Sequence, residues 1–278
     1  MLSRLRKVVE SVRARPLSAA ERISAATHLL SSLEYLVRRS DRVPGGLNDW
    51  THLRDHVPAG NGFTQGARDF IARENVTQAI HGSRALAAVV LIAPVRNNTV
   101  RMAANAYLAG SQIVIYHRHL FGTDGSDQVS FLVQAAAALG RAGGSESSRT
   151  AAVHFIGAQT VLSYGASGWA KLPGDAWRSG EALTKIMRTQ TYGDELFFKR
   201  LEKHPTAARA LCHTVLALEC GFPLLLFKKG RFIDAGLVVM GGFHLANARL
   251  MGLSRFALAF SSTYPAVRAL AKGTGEAK

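Results

Sequence analysis

The chain has 278 residues, 47% of them hydrophobic and 19% charged, with a formal net charge of +15. That length holds one large domain or two ordinary ones, and the apolar share allows a substantial core. A mean hydropathy of +0.06 falls between a soluble enzyme and a dense membrane bundle, so position along the chain is more informative than composition. The positive balance points to an anionic neighbour, nucleic acid or a lipid surface. Nucleic acid is the weaker of the two, because the chain shows no zinc-finger spacing, no aromatic RNA-binding run and no helix-turn-helix, while basic residues flank its apolar runs. Arg141 and Arg149 precede one such run, and Lys228, Lys229 and Arg231 follow another.

Residues 1–19 are basic and lack an apolar core of secretory-signal length, so no cleaved signal peptide is expected. Val8, Val9 and Val12 give this segment a faint amphipathic face, and a solvated tail fits it equally. In residues 20–37, Ala25, Leu29, Leu30, Leu33 and Leu36 recur at helical spacing. Residues 40–75 hold Pro44, Gly45, Gly46, Pro58, Gly60, Asn61 and Gly62, and read as a long connecting loop. Helices are expected at 76–95 and 99–116, turned by Arg96, Asn97 and Asn98, with small residues that allow close helix approach. In residues 117–128, Asp124, Gly125, Ser126 and Asp127 fall short of a calcium loop and read better as the cap of a helix starting near Val129.

The most informative stretch is 150–181. From Ala151 to Ala170 no residue is formally charged, which is about the 20 residues a helix needs to cross a bilayer. His154, Gln159, Ser163, Tyr164 and Ser167 lie within it, and Lys171 stands at its end. Polar groups at membrane depth mark sites by default. The plainer account is a half-buried helix whose Lys171 reaches to water while Trp169 and Trp177 sit at the interface.

Residues 172–206 read as an extramembrane loop with a short helix near 179–190. Residues 207–227 form another helical run, in which Glu219 needs a partner such as Arg or His. Cys212 and Cys220, eight residues apart on that helix, are roughly 12 Å apart and cannot form a disulfide; two thiols alone make no metal site. The last pair of helices, 233–249 and 250–268, carries His244 and Asn247 three residues apart on one face, placed to address one ligand or to bond between helices. Residues 269–278 form a polar tail. No internal repeat is present, and basic excess on both sides of the 207–227 helix leaves orientation undecided.

On these residues the chain resembles the HTTM family, the transmembrane domain shared by vitamin K-dependent gamma-carboxylases and bacterial relatives of the sporulation-delaying-protein B type. The likeness covers most of 20–268. It is carried by Gly165 to Gly180 with Lys171, Leu172 and Trp177, by Phe243-His244-x-x-Asn247 with Met251, Gly252 and Phe256, by FGTDGSDQ, and by Glu219 to Pro223. The resemblance implies an all-α, polytopic membrane bundle of about six spans (five to eight) over 20–268, in the cell membrane. It implies Lys171 as a base towards a reduced lipoquinone, in carboxylase-like chemistry that matures a small peptide. Tyr164, Trp177, Glu219, His244 and Asn247 would then bind substrate or cofactor. These 278 residues leave no room for the large lumenal region of the carboxylases. The rival expectation is a non-enzymatic membrane protein that exports, or gives immunity to, a small peptide toxin. A third is a soluble basic helical protein. No metal and no nucleic acid are expected.

Overall fold

The computed structural model describes residue 10, residues 12–58 and residues 60–273. The described residues form helices with no strand, only an isolated bridge between Phe121 and Thr123, so the chain is all-α. Most of the basic segment 1–19, Val8 and Val9 included, and half of the tail 269–278 lie outside the described residues, and the last helix runs on to Lys272. The chain divides into two compact units, Leu17–Ala152 and Val153–Lys278, the second taking in Met1–Pro16.

In the first unit α1 spans Pro16–Val37, followed after a 3-10 turn by α2 (Trp50–His56), α3 (Gly62–Ala72), α4 (Glu74–Ile92), α5 (Asn98–Ile115) and α6 (Gly125–Ala142). The expected loop at 40–75 is thus partly helical. Its Gly and Pro residues mark boundaries, and between them Asp49 and Asn61 cap the two short helices by accepting the N–H groups of Thr51 and Thr64. At α6 the capping account of the acidic turn holds, with Asp124 and Asp127 forming a reciprocal capping box that starts the helix at Gly125. α1 meets its expected face in part: Ala25 is buried and Leu29 packs against the same core cluster, but Leu33 is exposed, and Glu21, Ser24, Thr27, His28, Ser31 and Ser32 are buried as well.

The second unit holds most of α7 (Glu146–Lys171), then α8 (Asp175–Ser179), α9 (Ala182–Met187), α10 (Glu195–Lys203), α11 (Pro205–Gly221), α12 (Ile233–Met251) and α13 (Ser254–Lys272). α7 approaches its neighbours through missing side chains. A Cβ at Gly157 would lie 2.8 Å from the Ala266 carbonyl of α13, and one at Gly168 would lie 2.6 Å from the Cys220 nitrogen of α11. Only glycine lets the backbones pack that closely.

Among the described residues one helical stretch, Pro205–Gly230, is long and apolar enough to cross a membrane, and most of it faces outward. By that measure α7 is not a span, and the expected count of about six is not reached. The reason is chemical: the run 151–170 is uncharged but filled with Gly, Ala, Ser, Thr, Gln and His, and lack of charge is not the same as apolarity.

Candidate functional site

In the second unit, Lys171 closes α7 and Glu219 lies on the buried stripe of α11 formed with Cys212 and Leu216. The Lys171 Nζ is 2.6 Å from Glu219 Oε2, with 24% of the lysine side chain exposed and 7% of the glutamate. The same ammonium donates to the Ser167 hydroxyl and, at 3.3 Å, to the Ser167 carbonyl one turn earlier. It also stands 5.6 Å from the centre of the Trp177 ring, within cation–π range. The expected partner of Glu219, an Arg or a His, is therefore Lys171.

Seven residues before Lys171, two helical turns on the same face, comes Tyr164. Its hydroxyl is 2.7 Å from His244 Nε2 on α12 and 3.3 Å from the Tyr264 hydroxyl on α13. The His244 ring stacks on Phe260 at 4.7 Å, and Phe222 lies 4.5 Å from the Tyr164 ring. One face of α7 thus presents a buried aromatic hydrogen-bond chain and, about 10 Å further along, a partly exposed acid–base pair.

The structure brings Lys171, Glu219 and Trp177 together, and Tyr164 with His244. It leaves Asn247 apart: its side chain makes no hydrogen bond among the described residues, and its carbonyl accepts the N–H groups of Gly252 and Leu253 to close α12. Of the other polar residues in the uncharged run, Ser163 bonds back to the Gln159 carbonyl and Thr160 to that of Ile156, as helix residues do when they serve no ligand. Cys212 and Cys220 are free thiols. No group of three or more His, Cys, Asp or Glu side chains is placed to hold a metal among the described residues.

The first unit holds a polar core that the sequence reading missed. Glu21, fully buried, accepts from Arg101 at 2.7 Å, Arg141 at 2.8 Å and Asn105 at 2.7 Å. Arg84, 1% exposed, donates to His28, Gln112, Ser111 and the Leu108 carbonyl. His81 and His119 face each other at 2.8 Å, with Tyr35 stacked on both. The signal was legible: Glu21, Ser24, His28, Ser31 and Tyr35 recur every three or four residues, a polar stripe as regular as the leucines beside it.

Comparison with protein-family models, curated proteins and solved structures finds no match to this chain.

Proposed function

We propose that the chain is a multi-pass helical membrane protein of the cell membrane whose Lys171–Glu219 pair is an acid–base centre for a membrane-borne substrate. The observation that carries the membrane part is the inverted distribution of side chains within each unit. Arginine, glutamate and histidine occupy the interior of the first, while Leu86, Val89, Ile113 and Leu139 face outward. In the second, Phe155, Leu162, Leu224, Val238 and Leu245 are exposed around the buried Tyr164–His244 chain. In water, such a surface leaves large apolar areas wet and charges dry; in lipid the outer faces are solvated and the inner groups satisfy one another.

For chemistry, the pair holds one proton between two basic sites. As an ion pair the lysine carries it. Transfer from Nζ to Oε2 leaves a neutral amine and a neutral carboxylic acid; the net charge stays zero, and removing the two separated formal charges lowers the cost of a dry environment. The amine then accepts a proton from a substrate hydroxyl, with Trp177 shielding one side. A reduced lipoquinone, or a peptide matured in a lipoquinone-linked reaction, is the substrate class implied by the likeness to the carboxylase-like HTTM proteins. The competing account, a non-enzymatic protein for toxin export or immunity, draws on the same geometry, since Ser167 and Glu219 also suit a lysine that only anchors a helix end.

Two measurements test this. The protein should stay with membranes through an alkaline wash and leave only in detergent, and release by high salt alone would end the multi-pass reading. Lys171→Arg should abolish oxidation of a reduced quinone or maturation of a co-encoded peptide at matched expression, because guanidinium does not give up its proton. Full activity in that variant would leave the pair an anchor.

A further inference from the structure

In the first unit a cavity of about 580 Å³ opens between the end of α5 and the start of α6. Its wall includes Gln112, Tyr116, His117, Asp124, Asp127 and Phe131. Although the chain carries a net charge of +15, no lysine or arginine lines this space, and two of its 19 carboxylates do. The capping box fixes both carboxylates by bonds to the start of α6, so neither can swing out of the wall. A negative wall with aromatic rings beside it attracts an organic cation both by charge and through the ring faces.

A second, independent feature sits at the inner end. Gln112 is 9% exposed, and its Oε1 accepts from Arg84 at 2.6 Å. Because a guanidinium only donates, the oxygen must be the atom facing Arg84, and the amide nitrogen is the one left over. That nitrogen has no hydrogen-bond partner among the described residues, and the side chain that carries it lines the cavity. The cavity is therefore polarised, with a donor backed by Arg84 at one place and carboxylates at another.

We propose that this cavity binds an organic ammonium compound whose apolar body, of aromatic size, also carries an acceptor oxygen. The ammonium pairs with Asp124, the oxygen accepts from Gln112, and the body lies against Tyr116 and Phe131. The volume accommodates such a molecule without rearrangement. This site is separate from the Lys171–Glu219 pair, and its occupancy does not depend on that pair's chemistry.

The test uses the full chain in detergent micelles and phenylalaninol as probe, with 3-phenylpropanol and 3-phenylpropionate as neutral and anionic counterparts. Binding is read by calorimetry and by the rise in melting temperature. Asp124→Asn is the informative variant, since asparagine caps a helix as well as aspartate but carries no charge. We expect saturable binding of phenylalaninol alone, weakened about ten-fold in Asp124→Asn, which corresponds to one charge-assisted contact. Leu132→Trp, which fills the cavity from α6, should remove binding at unchanged fold, as read by circular dichroism. Equal binding of the neutral or anionic compound, unchanged affinity in Asp124→Asn, or no saturable binding of phenylalaninol would each overturn the proposal.

Discussion

Lys171 Nζ and Glu219 Oε2 stand 2.6 Å apart and join the last turn of α7 to the last turn of α11, beside the point where Gly168 lets the two backbones approach. The pair is thus the polar end of a helix contact that is otherwise made by small and apolar groups. Replacing Glu219 with alanine leaves a lysine with one carboxylate fewer and a partly dry pocket around it. The expected loss is about 1–3 kcal/mol, below that of a fully buried pair because Lys171 can turn to water. Thermal unfolding of detergent-solubilised protein measures it. Exchange of the two residues, Lys171→Glu with Glu219→Lys, should recover part of the loss, and equal melting of wild type and Glu219→Ala would mean that the pair contributes nothing.

Glu21 gives the larger effect. It is buried completely, and it alone supplies the carboxylate between Arg101 and Arg141 in this cluster. Glu21→Gln keeps the size and one acceptor but leaves two guanidinium groups facing each other without an anion. Loss of one partner from a buried ionic cluster costs about 3–5 kcal/mol. That is a large part of the stability of an ordinary domain, so the variant should accumulate poorly and show a melting transition lowered by many degrees. A normal yield with unchanged melting would show that the two arginines find another counter-charge.

How far the sequence could be read follows from these residues. Helical periodicity places α4, α5, α7, α12 and α13 to within a few residues, because apolar spacing is a local signal, whereas α11 ends at Gly221, short of the expected 227, and α6 starts at Gly125 rather than near Val129. The buried faces were harder. On α1 the apolar spacing reaches the core at Ala25 and Leu29 but leaves Leu33 exposed, while the serine, histidine and glutamate stripe lies inside, since which stripe turns inward depends on Arg101, Arg141 and Arg84 arriving from other helices. Lys171 and Glu219 were each legible as unusual, but not as partners across 48 positions. Asn247 shares a face with His244 by spacing alone, and the helix end claims its carbonyl instead.

The contact between α7 and α11 can be tested without touching a charged group. A side chain at Gly168 would meet the backbone nitrogen of Cys220 and the Glu219 Cβ, so the helices would have to separate. Gly168→Val should cost about 1–3 kcal/mol through overpacking and should also loosen the Lys171–Glu219 pair. Gly82, on α4, has open space at its Cβ position, and Gly82→Ala serves as the control, with unchanged or slightly raised stability. Similar melting temperatures for the two variants would rule out close packing at Gly168.

Asp69, on α3, carries the pH dependence. Its carboxylate accepts from the Trp50 indole at 2.8 Å, from Arg54 at 3.1 and 3.0 Å, and from Gln65 at 3.2 Å. The Trp50 bond, joined by those from Arg54 and Gln65 and opposed by partial burial, holds the Asp69 carboxyl below its ordinary value of 3.8. A carboxyl that titrates lower in the folded chain than in the unfolded one stabilises the fold above the ordinary aspartate range, and that contribution is lost as pH falls through the range toward the folded value. Acid should therefore loosen the junction of α2 and α3. With Trp169 and Trp177 replaced by phenylalanine, Trp50 is the single tryptophan and its emission reports the junction. The emission should change with a midpoint below 3.8, and Asp69→Asn, which keeps an acceptor for the indole but cannot ionise, should abolish that step. A midpoint at or above 3.8, or the same step in Asp69→Asn, would mean that another group governs the acid response of this segment.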